Sequence, residues 1–158
     1  MFKKILVPLD GSDLAAKILP QVEELAKMCG AQVTLITVGS SGIDLAGVAS
    51  PEVFQTAAEH DKRASERYLQ KVTGDLQGKG LTVNWAYLQG MPAQAIIKYA
   101  DDNDVDLIAL ATHGKGEVAW VLGSTAEKVV SHATAPVLLI RVIEFKPPLL
   151  KEEFFMGA

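Results

Sequence analysis

Five short apolar runs punctuate the chain, at Lys4 to Leu9, Gln32 to Val38, Leu81 to Leu88, Asp106 to Ala111 and Pro136 to Val142, and longer amphipathic stretches separate them. Runs of this length alternating with helical periodicity predict parallel strands joined by crossover helices, an α/β fold. Most runs are apolar throughout, as strands covered on both faces require. The third differs: Val83, Trp85 and Tyr87 alternate with Asn84, which predicts an edge strand.

Between the first two runs Leu14, Ile18, Val22, Leu25 and Cys29 recur at helical spacing, and Gly30 follows as a stop. Pro20 lies inside that pattern, where a missing backbone donor predicts either a kink or a late helix start. Gly39 to Ser50 is small and weakly patterned and reads as a mobile connection, after which Pro51 opens the longest helix, to about Leu76. Gly78-Lys79-Gly80 ends it. Gly90-Met91-Pro92 opens a further helix to about Asp101, and Gly123-Ser124 another to about Ala133. No internal repeat is evident.

The pattern breaks after Val142, so residues 1–143 read as one domain and 144–158 as a C-terminal tail. Phe145-Lys146-Pro147-Pro148 is a stiff linker, and Leu149, Leu150, Phe154 and Phe155 follow among charges. Two readings stay open: a frayed end, or an apolar arm that docks on a partner subunit.

Composition narrows the function classes. The 158 residues are 49% hydrophobic and 22% charged, with net charge −4, the profile of a folded globular protein. Without a run of Lys or Arg there is no electrostatic footprint for nucleic acid or an anionic membrane, so any anionic ligand must be held locally. The single Cys29 and the absence of Cys/His clusters at zinc spacing leave no disulfide framework or structural metal, and the cytoplasm is the expected compartment. No run approaches the ~20 apolar residues of a membrane span, and the opening segment is too brief for a signal peptide.

In an open parallel sheet, ligands sit beyond the C-terminal strand ends where strand order reverses. Two segments there carry chemistry. Pro8-Leu9-Asp10-Gly11-Ser12 follows the first strand. Thr112-His113-Gly114-Lys115-Gly116 follows the fourth, and Gly123-Ser124-Thr125 then enters a helix. Glycines let backbone amides approach an anion, and a helix N-terminus supplies N–H groups and a positive dipole end, the chemistry of a phosphate cradle with Lys115 beside it. Asp10 suits a ribose hydroxyl, or a metal carried by the phosphates, better than the phosphates themselves. The plainer alternative is that Asp10, Ser12 and Gly123-Ser124 are only helix caps. Neither G-x-x-x-x-G-K-[ST] nor a G-x-G-x-x-G after the first strand is present.

Over residues 2 to 142 the chain resembles the universal stress proteins. The resemblance lies in Ile5-Leu6-Val7-Pro8-Leu9-Asp10-Gly11-Ser12, Gly90-Met91-Pro92-Ala93 with Ile96 and Ala100, Asp106-Leu107-Ile108, Thr112-His113-Gly114, Gly123-Ser124 with Glu127-Lys128-Val129, and His132-Ala133 before Pro136-Val137-Leu138. It implies a single-domain, five-stranded parallel sheet in order 3-2-1-4-5 with helices on both faces, of the adenine nucleotide alpha hydrolase type. It also implies a homodimer through the last strand, Pro136 to Val142, and in many members ATP bound by the pattern G-x-x-G-(nine residues)-G-[ST].

This chain departs from the pattern twice: Ala111 replaces the first glycine, and eight residues, Lys115 to Leu122, separate Gly114 from Gly123. Alanine is a mild change. The best alignment places the missing residue between Lys115 and Gly116, in the phosphate loop, where it would shift the phosphates. Carried over residue by residue, the resemblance puts Pro8, Leu9, Asp10 and Val38 along the adenosine and Leu110, Ala111 and His113 on the nucleoside side of the loop. Ser12 joins the site near Asp10, and Gly114, Lys115, Gly116, Gly123, Ser124 and Thr125 hold the phosphates, with Mg²⁺ reaching Asp10 through them.

Other residues suggest chemistry less strongly. His113 has no Ser or Cys nucleophile and orienting acid placed beside it by sequence, so a positioning or ligand-contact role is expected. His60 reads as a solvated face residue, His132 as a helix-end residue and Cys29 as a buried one. Trp120, in the glycine loop, has three readings: loop anchor, lid or partner contact. Three functions follow: a cytoplasmic, dimeric, ATP-binding switch or sensor of stress adaptation; a non-nucleotide-binding dimeric interaction module; and a slow ATPase.

Overall fold

The computed structural model describes residues 1–39, 50–114 and 121–143. The expectations for 40–49, for Lys115, Gly116 and Trp120, and for the tail lie outside the described residues.

The elements run β1 (Lys4–Pro8), α1 (Asp13–Ala16), α2 (Leu19–Cys29), β2 (Gln32–Gly39), α3 (Pro51–Gly78), β3 (Thr82–Gln89), α4 (Pro92–Asp102), β4 (Leu107–Ala111), α5 (Ser124–His132) and β5 (Val137–Ile140). Local chemistry sets several boundaries. Pro20 stands in the first turn of α2, where the donor it lacks has no intrahelical partner to lose, so the expected single helix is divided into α1 and α2. Gly30 ends α2 in the left-handed conformation at φ 62°, with its N–H on the carbonyls of Ala26 and Lys27. Ser12 caps α1 through Ala15 N–H, and Ser50 caps α3 with Pro51 in the first turn.

The strands form one parallel sheet in the order β3-β2-β1-β4-β5. β3 is an edge, as its alternation predicts. Among the described residues β5 forms the other edge, and it is shorter than expected. Its ladder with β4 closes where Ala111 pairs Ile140 and Thr112 N–H reaches the Ile140 carbonyl at 3.0 Å, so Arg141 and Val142 lie past the last rung.

Period-two alternation along β1 divides the core. Ile5 and Val7 enter one cluster with Val22 of α2, Val33 and Leu35 of β2, and Leu69 and Leu76 of α3. Leu6 points the other way, to Ile36, Ile96 of α4, Ile108 and Leu110 of β4, and Val129 of α5. The molecule is therefore three layers, α1–α3 on one face and α4–α5 on the other. The order reverses between β1 and β4, which places their C-terminal ends side by side. α3 buries only Leu69, Thr73 and Leu76, all in its second half, and its mostly exposed first half flanks the same end of the sheet.

Candidate functional site at the strand ends

At that reversal lies a cavity of about 240 Å³. Pro8, Leu9 and Asp10 come from the end of β1, Ile36 and Val38 from β2, and Leu110, Ala111, His113 and Gly114 from the end of β4. Ala15 of α1, Pro92 and Ile96 of α4, and Thr125 and Ala126 of α5 close the sides. The walls are largely aliphatic, and among the described residues Asp10 and His113 are the only ionisable side chains on them.

Asp10 is oriented by the chain just after it. Its Oδ1 accepts from Ser12 N–H at 2.9 Å and from the Ser12 hydroxyl at 2.5 Å, while Ser12 Oγ accepts from Ala15 N–H at 3.1 Å. One turn therefore caps α1 and fixes the carboxylate at the cavity rim.

His113 is 4% exposed. Its Nε2 lies 2.7 Å from the Val121 carbonyl oxygen, and its Nδ1 lies 2.8 Å from Thr112 Oγ1. A carbonyl only accepts, so Nε2 carries the proton and donates to Val121, while Nδ1 and the Thr112 hydroxyl share the second hydrogen bond. Gly123 N–H donates to the Thr112 carbonyl at 2.9 Å. These bonds fasten the residues leading into α5 to the end of β4, on either side of Gly114. Gly123 is the N-cap of α5 and supplies no side-chain cap to the helix start.

Among the predicted site residues, Pro8, Leu9, Asp10, Val38, Leu110, Ala111, His113, Gly114 and Thr125 are brought together around the cavity. Ser12 lies behind Asp10 and lines a neighbouring groove instead. Gly123 and Ser124 adjoin Thr125 at the start of α5 without lining the cavity. Ala15, Ile36, Pro92, Ile96 and Ala126 were not anticipated. For Ala15, Ile36, Ile96 and Ala126 the only signal is apolar character on core-facing positions, which topology alone makes walls, and Pro92 reads only as a helix start. Among the described residues no group of three His, Cys, Asp or Glu side chains is placed to hold a metal.

Elsewhere, the His60 side chain is 79% exposed, as expected for a solvated face. His132 sits one turn past Lys128, with Nδ1 3.0 Å from that carbonyl oxygen. Cys29, expected to be buried, is only partly so, because it packs at the margin of the α2 cluster beside the chain reversal at Gly30.

The sequence model of the Universal stress protein family matches residues 1–141. The chain belongs to the universal stress protein family. Universal stress protein YxiE of Bacillus subtilis is 32% identical over 148 residues, covering 89% of this chain and 100% of that protein. The solved structure of MJ0577, a universal stress protein of Methanocaldococcus jannaschii, superposes with a TM-score of 0.82 at 26% identity, covering 92% of this chain and 99% of that one. Two further structures share the fold: an Archaeoglobus fulgidus universal stress protein in complex with dAMP (TM-score 0.60, 20% identity, 89% and 98% coverage) and a universal stress protein in complex with cAMP (TM-score 0.59, 17% identity, 90% and 98% coverage).

Proposed function

We propose that this universal stress protein binds an adenine nucleotide, ATP in the first instance, and acts as a dimeric switch or sensor. The observation that carries the reading is the pairing of an aliphatic cavity at the strand-order reversal with a glycine-capped helix N-terminus at its side. Val38, Ile36, Leu110 and Pro92 form a box suited to the flat, apolar faces of a purine. Asp10, at the rim, accepts hydrogen bonds from ribose hydroxyls or the exocyclic amine. Gly114, Gly123, Ser124 and Thr125 face the phosphates, where backbone amides and the α5 dipole offset negative charge. Lys115 and Gly116 follow Gly114 in sequence and belong to the same proposal. The dAMP and cAMP complexes of proteins with this fold support the same ligand class.

Asp10 offers one carboxylate to Mg²⁺ carried by the phosphates, in keeping with a cation that retains water and phosphate ligands. Hydrolysis would need a positioned water and stabilisation of transition-state charge. Among the described residues the two ionisable ones at the cavity are poorly disposed for this: His113 has both ring nitrogens engaged, and Asp10 Oδ1 is engaged by Ser12. The reading is accordingly binding and signalling, in the cytoplasm, rather than turnover.

Dimerisation belongs to the same proposal. Among the described residues β5 has a partner on one side only, and Leu138 on it and Val130 on α5 are 38% and 45% exposed. A second copy related by a two-fold axis would pair this edge antiparallel and cover both side chains. Thermal unfolding with increasing ATP tests the binding: a ligand held only by the folded state raises the midpoint with concentration. A midpoint indifferent to ATP, ADP and AMP alike would leave the interaction module as the better account.

A further inference from the structure

A second concavity of about 850 Å³ lies on the other face of the sheet and meets the first at Asp10 and Val38, which line both. Its floor is Thr37 and Gly39 of β2 with Tyr87 and Gln89 of β3. Ser65 and Tyr68 of α3 form one wall and Gly11 to Asp13 the opposite one. Thr37 and Tyr87 are register partners, so their side chains emerge on the same, α3-facing side.

Two observations mark this groove as a place for a ligand. Thr37 is 6% exposed, and its Oγ1 has no hydrogen-bond partner; the Tyr68 hydroxyl is likewise enclosed and without a partner. Buried hydroxyls are normally satisfied, and two unsatisfied ones on the floor and wall of one groove call for a polar group from outside. Second, among the described residues the groove is lined by three carboxylates, Asp10, Asp13 and Asp61, and by no Lys, Arg or His, with Lys62 at its margin over the Tyr87 ring. Desolvation, and then the charges of Asp10 and Asp13, push the Tyr68 phenol up from its ordinary value, so it stays protonated and sits in a negative field.

That chemistry selects a ligand class. An anion is repelled. A metal ion needs ligands converging on one point, and no such group occurs among the described residues. A sugar favours an open aromatic face, but the Tyr87 ring already has the Lys62 ammonium 6.0 Å from its centroid. A chain of spaced ammonium groups meets the arrangement best: carboxylates on separate walls take separate charges, and the hydroxyls accept remaining N–H groups.

We propose that the groove between α3 and the ends of β2 and β3 is a binding site for a short linear polyamine, held by Asp61 on one wall and Asp10 and Asp13 on the other and seated on Thr37 and Tyr68. The proposal does not rest on the nucleotide reading, and the two sites meet at Asp10, which lines both.

Calorimetric titration of the full, nucleotide-free chain with spermidine is the test. The wild type binds saturably, Thr37→Val and Tyr68→Phe each weaken binding about tenfold by deleting a hydroxyl that meets an ammonium, and Asp61→Asn weakens it as well. Asp102→Asn removes the same charge on remote α4 and leaves binding unchanged. The hydroxyl deletions remove groups without partners in the fold, so unfolding midpoints at or above wild type show that the variants are intact. Absence of saturable binding at millimolar spermidine overturns the proposal. So does binding unchanged in Thr37→Val and Tyr68→Phe, which would be general attraction to an acidic protein. Binding of Mg²⁺ or maltose, sensitive to these substitutions in place of spermidine, also overturns it.

Discussion

The Nε2 of His113 lies 2.7 Å from the carbonyl oxygen of Val121, so one buried ring joins the end of β4 to the residues that lead into α5. Together with the bond from Gly123 N–H to the Thr112 carbonyl, it ties Val121 and Gly123 to the end of β4. The clasp determines where Gly114 and the start of α5 stand relative to the cavity.

His113→Leu keeps the approximate volume and loses both hydrogen bonds, leaving a buried Thr112 hydroxyl unpartnered. Stability should fall by roughly 1 to 3 kcal/mol in urea unfolding. Nucleotide affinity should fall with it, because the loop ends are no longer fastened. His113→Leu with wild-type stability would show that the clasp contributes nothing.

Asp10→Ala removes the acceptor of two donors from Ser12 and, among the described residues, the only carboxylate on the cavity wall. ATP affinity measured by calorimetry should drop about tenfold, the worth of one charge-assisted hydrogen bond. Ser12→Ala should cost roughly 0.5 to 2 kcal/mol of stability through the lost α1 cap, with a smaller effect on affinity.

Much of this was legible in the sequence. Strand count, the edge character of β3 and every helix start marked by proline followed from periodicity and turn chemistry, because Pro51 and Pro92 fit a first turn and little else. Sheet order and most of the cavity's polar rim came through the family resemblance carried by Asp10, Thr112-His113-Gly114 and Gly123-Ser124. The division of the first helix was expected at Pro20 as one of two outcomes. Ile36, Ile96 and Ala126 gave no signal as cavity walls, since a residue lining an apolar cavity and one packed in the core obey the same periodicity. The groove under α3 was equally silent: Thr37 and Tyr68 lie 31 positions apart and become neighbours of one space only when α3 lies across β2.

Glu23 ties α2 to the chain after α3. Its carboxylate receives hydrogen bonds from Lys27 at 2.7 Å and Lys79 at 3.0 Å, which together hold it below its ordinary value of 4.5. Because the folded state favours the ionised form, this contribution is present above that value and is lost as pH falls through the lowered one. Glu23→Gln should therefore be less stable than wild type at neutral pH and converge with it in acid. Denaturant midpoints across that range check the sign, and a difference that grows in acid contradicts it.

Leu138→Lys places a charge on the outer edge of β5. Sedimentation should show a dimer for wild type at micromolar concentration and a monomer for the variant, with the unfolding of each protomer little changed. A wild-type monomer would remove the dimer from the account.

The central claim, that the cavity between β1 and β4 holds an adenine nucleotide, is tested most directly by purifying the protein without added nucleotide, denaturing it, and identifying any released molecule by chromatography and mass. Wild type should release ATP or ADP, or bind added ATP when it emerges empty, and Gly114→Val, which places a side chain where the phosphates approach the backbone, should do neither. A wild type that carries no adenine compound and shows no affinity for ATP would contradict the account.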